Sequence, residues 1–303
     1  MNKPWGGGNQ FLQEMSALLK SQGHEVVYKF SPNIDILFII NPKNDHHGFS
    51  YSDIHNYKKV NPDSKIIFRV NECDKRKGGK GMDNLIKNAA KISDEIVFIS
   101  EWLQGHFKEK GVNKKSHVIT NGCNSNHFYP SQDTKIEDNI KLVTHHWSDN
   151  WMKGFDIYTE IDKYLLSSDN PNFKFTYVGR YFNGYKPQNT TIVPPTHGES
   201  LGEELRKHDI YVTASRWEPG GMHHIEGAAS GLPVVYHKEG GGINELCEKH
   251  GESFSDFDEM LEKINLIKNN YKSYVDSIDH DNLSSKKCCK NFLDVINNMM
   301  QDE

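Results

Sequence analysis

Apolar positions along this chain fall into short blocks separated by amphipathic segments. Phe11, Met15, Leu18 and Leu19 recur at helical spacing and Gly23 supplies a stop, which predicts a first helix. Val26–Val27, Ile34–Ile40, Lys65–Val70 and Glu95–Ile99 are short, mostly β-branched or aromatic, and bounded by turn residues, as strands are. Helical patterns lie between them at Met82–Ser93 and Glu101–Lys110, with Ser100 placed to cap the latter. Around Tyr129–Asn139 (YPSQDTKIEDN) the periodicity lapses, so this stretch reads as a linker. The alternation then resumes with a strand at Lys141–Thr144, a helix at Phe155–Leu166 and strands at Phe173–Val178 and Thr191–Val193. A helix at Leu201–Lys207 and a strand at Ile210–Thr213 follow, then a helix from Met222 and a strand at Pro233–Tyr236. Helices from Gly242, over Asp256–Asn269 and from about Leu283 to Met300 complete the chain.

Strands alternating with helices predict an α/β fold whose parallel sheets are covered on both faces. At 303 residues the chain exceeds the ~100–200 of a single domain. It reads as two Rossmann-like halves in tandem with no sequence repeat between them: residues 1–132, then 140–275, then a helical segment 276–303. Ligands of such sheets sit at the carboxyl ends of the strands, and two facing halves suggest a cleft between them. The first glycine loop, WGGGNQF, begins at Trp5. Either the strand that would lead into it is missing, or residues 1–4 form a stub of it.

Composition narrows the classes. Mean hydropathy is −0.72, and the longest strongly apolar stretch, Ile34–Ile40, is far short of the ~20 residues of a membrane helix. The first residues show no basic stretch followed by an apolar one. A cytoplasmic protein is expected, with peripheral membrane contact left open. Thirty-six Lys and Arg against 41 Asp and Glu argue against bulk electrostatic wrapping of nucleic acid, but not against a local anion site. Five cysteines without a CxxC fit a reducing compartment, and Cys288–Cys289 read as ordinary thiols. Sixteen histidines include doublets at His46–His47, His145–His146 and His223–His224, yet no HExxH or comparable spacing occurs, so no metal site is expected. Asp256–Phe257–Asp258 and Asp279–His280–Asp281 follow no strand and read as helix caps or solvated faces. The Gly6–Gly8 loop lacks the GxGxxG spacing, which disfavours NAD.

The most informative stretch runs from Ser215 to Glu245: SRWEPGGMHHIEGAASGLPVVYHKEGGGINE. It follows a predicted strand, so Glu218 falls in a strand-to-helix loop and Gly220–Gly221 bring backbone amides close to whatever docks there. Glycine turns leading into helices suit phosphate, because unpaired amides point at it. Glu226, eight residues after Glu218, can accept from a pair of neighbouring hydroxyls such as a ribose diol. Gly231–Leu232–Pro233 ends the helix, and Gly240–Gly241–Gly242 repeats the loop-to-helix device. Taken singly, Glu218 and Glu226 could be a solvated loop and a surface helix, and Lys153 an ordinary exposed lysine.

The ordered set over these residues resembles the C-terminal signature of retaining glycosyltransferases of the GT-B fold, family four (glycosyl transferases group 1). Other segments resemble the same family: GGGNQFLQEMSALLKSQGHEVV its first glycine loop and helix, DEIVFISEWL its strand-and-Ser segment, NGCNSNHFYP the element closing the first domain, and WMKGFD a Lys-Gly segment. The resemblance implies two Rossmann-like domains facing each other across a cleft, with residues 276–303 packing back on the first. The implied reaction is transfer of a sugar, of hexosyltransferase type, from a nucleotide-diphosphate donor to a hydroxyl acceptor with retention and without metal or other cofactor. Lys153 and Glu218 would act at the reacting centre, Lys153 on the diphosphate and Glu218 on the hydroxyls of the transferred sugar. Glu226 would hold the ribose. Gly220, Gly221, Met222 and His223 would meet phosphate and sugar, while Gly6, Gly7 and Gly8 would approach the diphosphate from the first domain. The leaving nucleoside diphosphate gathers negative charge as the glycosidic bond breaks, so preorganised cations and amides stabilise the transition state more than the ground state.

Departures from the family pattern accompany these expectations. An Arg five or six residues before the Lys is usual; here those positions are Ser148 and Trp147, and His145, His146, Arg180 or Arg216 would have to supply the charge. A bulky residue usually stands where this chain has Gly220. The family's first-domain His is replaced by RVNECDKRK, which places Arg69, Asn71, Glu72, Asp74 and Arg76 on the acceptor or sugar side. Two rival readings stand beside the transferase: a nucleotide-sugar epimerase of the same fold, and a non-catalytic nucleotide-sugar-binding relic, which the missing Arg and shortened start favour.

Overall fold

The computed structural model describes residues 7–43, 49–131, 136–167 and 171–301. Gly6, the His46–His47 doublet and the residues before the first glycine loop lie outside these, as does part of the expected linker. The chain divides into two compact units, Gly7–Thr120 with the C-terminal helix and Asn121–Ser285.

The first unit contains α1 (Gly7–Ser21), β1 (Ile36–Ile39), α2 (Tyr51–Val60), β2 (Lys65–Val70), α3 (Met82–Ile92), β3 (Glu95–Phe98), α4 (Glu101–Glu109) and β4 (Ser116–Val118). Its four strands are parallel, in the order β1-β2-β3-β4. Successive side chains of a strand point to opposite faces. Ile66, Phe68 and Val70 therefore join the core under α3 and α4, with Ile86, Leu103 and Phe107. Ile67 and Val97 join the opposite core with Phe11, Met15 and Phe292. Ser50 and Asp53 form a capping box at α2, and the Ser100 hydroxyl accepts from the Leu103 amide, so both starts are written locally.

The second unit continues with β5 (Ile140–His146), α5 (Phe155–Ser167), β6 (Phe173–Gly179), β7 (Thr191–Val193), α6 (Gly198–Leu205) and β8 (Ile210–Thr213). Then follow α7 (His223–Ala229), β9 (Val234–His237), α8 (Gly242–Cys247), β10 (Gly251–Phe254), α9 (Phe257–Asn269) and α10 (Tyr271–Asp276). All six strands are parallel, in the order β10-β9-β8-β5-β6-β7. The chain leaves β5 toward β6 and β7, then crosses back to add β8 on the other side. That reversal makes the carboxyl ends of β5 and β8 the switch point, where crossover loops part and open sheets bind ligands. Ile140 and Leu142 face one core with Phe175, Tyr177 and Val212; Val143, Val178 and Tyr211 face the other. The last helix, α11 (Ser285–Gln301), buries Phe292, Val295, Ile296 and Met299 within the first unit.

Several boundaries differ from the sequence reading. The division falls at Thr120/Asn121, not at 132, because the next ten residues pack in the second unit. Phe128 joins its core, and Cys123 exchanges backbone hydrogen bonds with the segment before α11: its amide donates to Leu283 and its carbonyl accepts from Ser285. The return to the first unit accordingly begins at Lys286, not at 276. Val26–Val27 forms no strand, and Val27 is exposed. The polar α2, with Ile54 as its one buried residue among those described, and the half-polar β10 (GESF) escape a hydrophobic-pattern reading. Asp256 caps α9 by accepting from the Glu259 amide.

Asp162 illustrates how a side chain sets an edge strand. Its carboxylate accepts from the amides of Gln188 (2.9 Å), Asn189 (3.0 Å) and Thr190 (2.7 Å) and from the Thr190 hydroxyl (2.7 Å), which pins the entry to β7. Burial by itself raises this carboxyl, but the Thr190 hydroxyl and the three amides outweigh it and hold it below 3.8. Asp162→Ala should cost about 2 kcal/mol in urea unfolding at neutral pH, because the buried Thr190 amide and hydroxyl and two half-buried amide contacts lose their acceptor. A carboxyl depressed in the folded state stabilises above its unfolded value and loses that contribution as pH falls through the folded one. The gap between wild type and variant should therefore persist at pH 5 and shrink below pH 3.8.

Candidate active site

The end of β8 leads into Ala214, Ser215 and a loop that is joined to a second one. The Trp217 amide donates to the Glu239 carbonyl (2.7 Å), the Glu218 amide to Gly240 (3.1 Å), and the Gly242 amide to Glu218 (2.9 Å). Trp217 takes φ 52°, a left-handed conformation that a bulky residue adopts only where its surroundings hold it. These bonds draw Glu218 into the interior, where it is 3% exposed.

Lys153 arrives from the neighbouring strand. After β5 the chain makes a short 3₁₀ turn, Trp151–Lys153, which the Asn150 side chain caps by accepting from the Met152 amide (2.8 Å). Gly154 follows with φ 92°, and a Cβ there would collide with Ala214, so only glycine lets the turn lie against the end of β8. The Arg216 amide donates to the Met152 carbonyl (2.9 Å) and ties the two loops together. The result places Lys153 Nζ 2.5 Å from Glu218 Oε2, and Lys153 is only 7% exposed. The sequence alternative of an ordinary surface lysine is thereby corrected.

Glu226, on α7, meets the same carboxyl end of β5. Its Oε2 lies 2.8 Å from His145 Nε2, leaving Oε1 without a partner among the described residues. His146 Nε2 lies 2.8 Å from the Tyr158 hydroxyl, which accepts from the Ala214 amide (3.1 Å). His223 Nε2 lies 2.9 Å from Thr213 Oγ1, and its ring centroid is 4.7 Å from that of His146. Burial, then the Lys153 charge, drives both imidazoles well below 6.5, so both are neutral near pH 7. Gly221 packs so closely against the His223 ring and Glu218 Cγ that a Cβ there would overlap them. The Gly220 carbonyl accepts from the Asn121 side chain (2.7 Å). The amides of Gly221, Met222 and His223 donate to no acceptor among the described residues.

The second unit thus brings together Lys153, Glu218, Glu226, His146 and the Gly220–His223 loop. Arg180 stands at the end of β6, the strand beside β5. Of the cations considered for the missing arginine, Arg216 is engaged in a two-pronged pair with Asp156 (2.9 and 2.7 Å), and His146 is uncharged. Gly7, Gly8, Arg69, Asn71, Glu72 and Asp74 belong to the other unit. Gly7 and Gly8 open α1, and Asn71 lies close beside Gly8.

One acceptor-side expectation needs correction, and a second residue has a structural role. Arg69 shares the face of Ile67 and is 1% exposed, with its guanidinium carbon 4.4 Å from the Phe11 ring centroid, so it packs beneath α1 instead of standing on an open surface. Burial lowers it to about 10. Asp74 accepts from the amides of Gly81, Met82 and Asp83 and so organises the turn into α3. Glu72 pairs with Arg76 (3.1 Å) and Lys77 (3.3 Å). Sequence reasoning missed Asn121, Tyr158 and Thr213 as partners of the site, since nothing in their local pattern separates them from packing residues.

With this geometry in place, comparisons with known proteins define the class. Residues 131–280 match the family described as glycosyl transferases group 1. Solved structures with the same fold include sucrose-phosphate synthase from Thermosynechococcus elongatus (13% identity, 97% of this chain and 78% of that one, TM-score 0.67). Anabaena HepE in complex with UDP-glucose is similar at 14% identity over 98% of this chain and 97% of that one, TM-score 0.66. WaaG, a glycosyltransferase involved in lipopolysaccharide biosynthesis, is similar at 15% identity over 97% of both chains, TM-score 0.65. No curated protein matches the sequence significantly. The chain has the GT-B glycosyltransferase fold, with two parallel-sheet domains. Its second unit carries a glycosyltransferase group 1 domain. No described helix is long and apolar enough to cross a membrane.

The histidine cluster carries a pH consequence. His224 is 1% exposed, and neither ring nitrogen finds a partner among the described residues. Burial, only partly opposed by Glu218, drives it down to about 3. The unfolded imidazole takes up a proton near 6.5, whereas the folded one resists until about 3, so stability falls as pH drops below 6.5. For His224 alone the loss between pH 7.5 and 5.5 is about 1.4 kcal/mol. His224→Leu should abolish that share, seen as a smaller difference between urea midpoints at the two pH values.

Proposed function

We propose that this chain is a retaining glycosyltransferase that moves a sugar from a nucleoside-diphosphate sugar to a hydroxyl acceptor. The observation that carries the reading is the juxtaposition of the buried Lys153–Glu218 pair with Glu226 and the open amides of the Gly221–His223 loop. In this reading the diphosphate enters over those amides and shares the Lys153 ammonium with Glu218. Glu226 Oε1 takes the ribose hydroxyls, and Glu218 orients the hydroxyls of the transferred sugar. As the bond from the sugar's anomeric carbon to the diphosphate oxygen breaks, charge gathers on the phosphate. Lys153 and the amides are already placed there, so they pay no reorganisation cost at that moment. Neutral His146 and His223 act as hydrogen-bonding groups beside the sugar. Retention follows if the acceptor hydroxyl attacks from the face the leaving group vacates and passes its proton to the departing phosphate. Positive charge at the leaving group comes from the protein, so the reading calls for no metal or other cofactor. Asn71 and Glu72, at the carboxyl end of β2, are the residues proposed for the acceptor side.

A thermal-shift panel of UDP, GDP, ADP and CMP, each with and without an attached sugar, tests this on wild type and Glu226→Ala. A nucleotide at about 100 times its Kd stabilises the fold by about 2.7 kcal/mol. One nucleotide class should raise the Tm of wild type, and Glu226→Ala should lose that shift while keeping its own unliganded Tm. Absence of any shift would overturn the reading. Turnover is read separately as sugar released or transferred from the donor so identified. Lys153→Met should lower it by about a hundredfold or more, as for loss of other preorganised charge at a leaving group.

A further inference from the structure

The Lys153–Glu218 pair leaves a charge problem that a second cation would solve. Around the Gly221–His223 loop stand one lysine and two carboxylates, Glu218 and Glu226, with His146 and His223 neutral. A diphosphate arriving there meets a site whose one ammonium is already matched by a carboxylate at 2.5 Å. Arg216 is held by Asp156 and lies 3.8 Å from Glu239. Lys238 follows β9, beyond β8 from the β5 edge, and is followed directly by Glu239.

Arg180 is different in each respect. It is exposed and makes no ion pair among the described residues. It stands immediately after β6, and β6 pairs with β5 along its whole length, His146 opposite Gly179. Its position is held from several sides. The Arg180 amide donates to the His146 carbonyl (3.0 Å), and its carbonyl accepts from the Tyr177 hydroxyl (2.6 Å). Gly179 before it takes φ 120°, and any Cβ there would collide with that same His146 oxygen, so the turn into Arg180 demands glycine. The guanidinium carbon lies 4.1 Å from the centroid of Trp147, the first residue after β5. Trp147 itself is 40% exposed, an indole left in water with the guanidinium as its described ring contact. A stacked guanidinium keeps its N–H edge free for a planar or tetrahedral anion, which a lysine could not do.

We propose that Arg180, held against Trp147, is the second cation for the donor's diphosphate, and that Trp147 is a positioning residue acting through it. This rests on the transferase reading and deepens it. The anion bridges the ends of adjacent strands, with Lys153 reached from β5 and Arg180 from β6. The chain thus supplies from a neighbouring strand the charge absent at Trp147 and Ser148.

Binding affinity on the intact chain is the direct test, measured by titration calorimetry with UDP, GDP and ADP, with the matching nucleosides, and with pyrophosphate. For the diphosphate that wild type binds, Arg180→Gln should weaken affinity by about tenfold or more and flatten its salt dependence. The same variant should leave nucleoside affinity within about twofold, since only the charged contact is lost. Trp147→Leu should follow Arg180→Gln in direction, and Trp147→Phe should restore most of the loss, which a general packing role would not separate by ligand charge. Both positions are exposed, and unchanged Tm values would confirm folding. If wild type binds a nucleoside diphosphate and Arg180→Gln binds it equally well, or loses nucleoside in equal measure, this assignment falls and the transferase reading stands. If wild type binds none of the diphosphates, both fall together.

Discussion

Two opposite charges, the Lys153 ammonium and the Glu218 carboxylate, meet 2.5 Å apart almost out of reach of water. Removing either partner would strand the other in a medium where a lone charge costs several kcal/mol, so the architecture around them is constrained from both sides. Gly154 must lack a side chain for the turn after β5 to touch Ala214, and Gly221 must lack one for the loop after β8 to pack on His223. The bonds joining residues 217 and 218 to Glu239 and Gly240 hold Glu218 inward, and Trp217 adopts its left-handed φ to allow them. The glycines of this region are thus consequences of bringing one ion pair to the end of two strands.

The same burial determines which groups near that pair carry charge. Six parallel strands reverse direction of assembly at β5, which concentrates loop ends from β5, β6 and β8 at one edge. Histidines placed there have lost their water, and the lysine beside them further disfavours a second positive charge, so His146 and His223 remain neutral donors and acceptors. Positive charge at the edge resides instead in Lys153, which is matched, and in arginines at the rim. Of those, Arg216 fastens α5 through Asp156, whereas among the described residues Arg180 is held by an aromatic face and its own backbone. A buried cluster rich in titratable side chains thus keeps two of its imidazoles neutral, while Arg180 carries its charge at the exposed rim.

The first unit has an analogous division between frame and function. Its sheet is built from strands whose alternation assigns their buried apolar residues to one of two cores, and Arg69 is caught in that alternation. It faces α1 and α11 because Ile67 does, two residues earlier on the same strand. Asp74 likewise serves the turn by accepting three amides. A charged run following a strand looked like a binding surface, but two of its members are structural.

By itself the sequence determined the class of fold, the succession of strands and helices, the caps at Ser100 and Asp256, and the residues gathered at the end of β8. These are local properties: periodicity, capping side chains and a glycine–glutamate pattern repeat within a few residues of one another. Tertiary structure alone decided that Lys153 is buried against Glu218, that His145 engages Glu226 across 81 positions, and that Arg216 belongs to Asp156. It also moved the boundary between units to Asn121, since the pairing of Cys123 with the segment before α11 joins stretches some 160 positions apart. Which arginine remains available, and which histidine stays neutral, depends on desolvation and on partners supplied by distant strands, and no spacing in the chain encodes either.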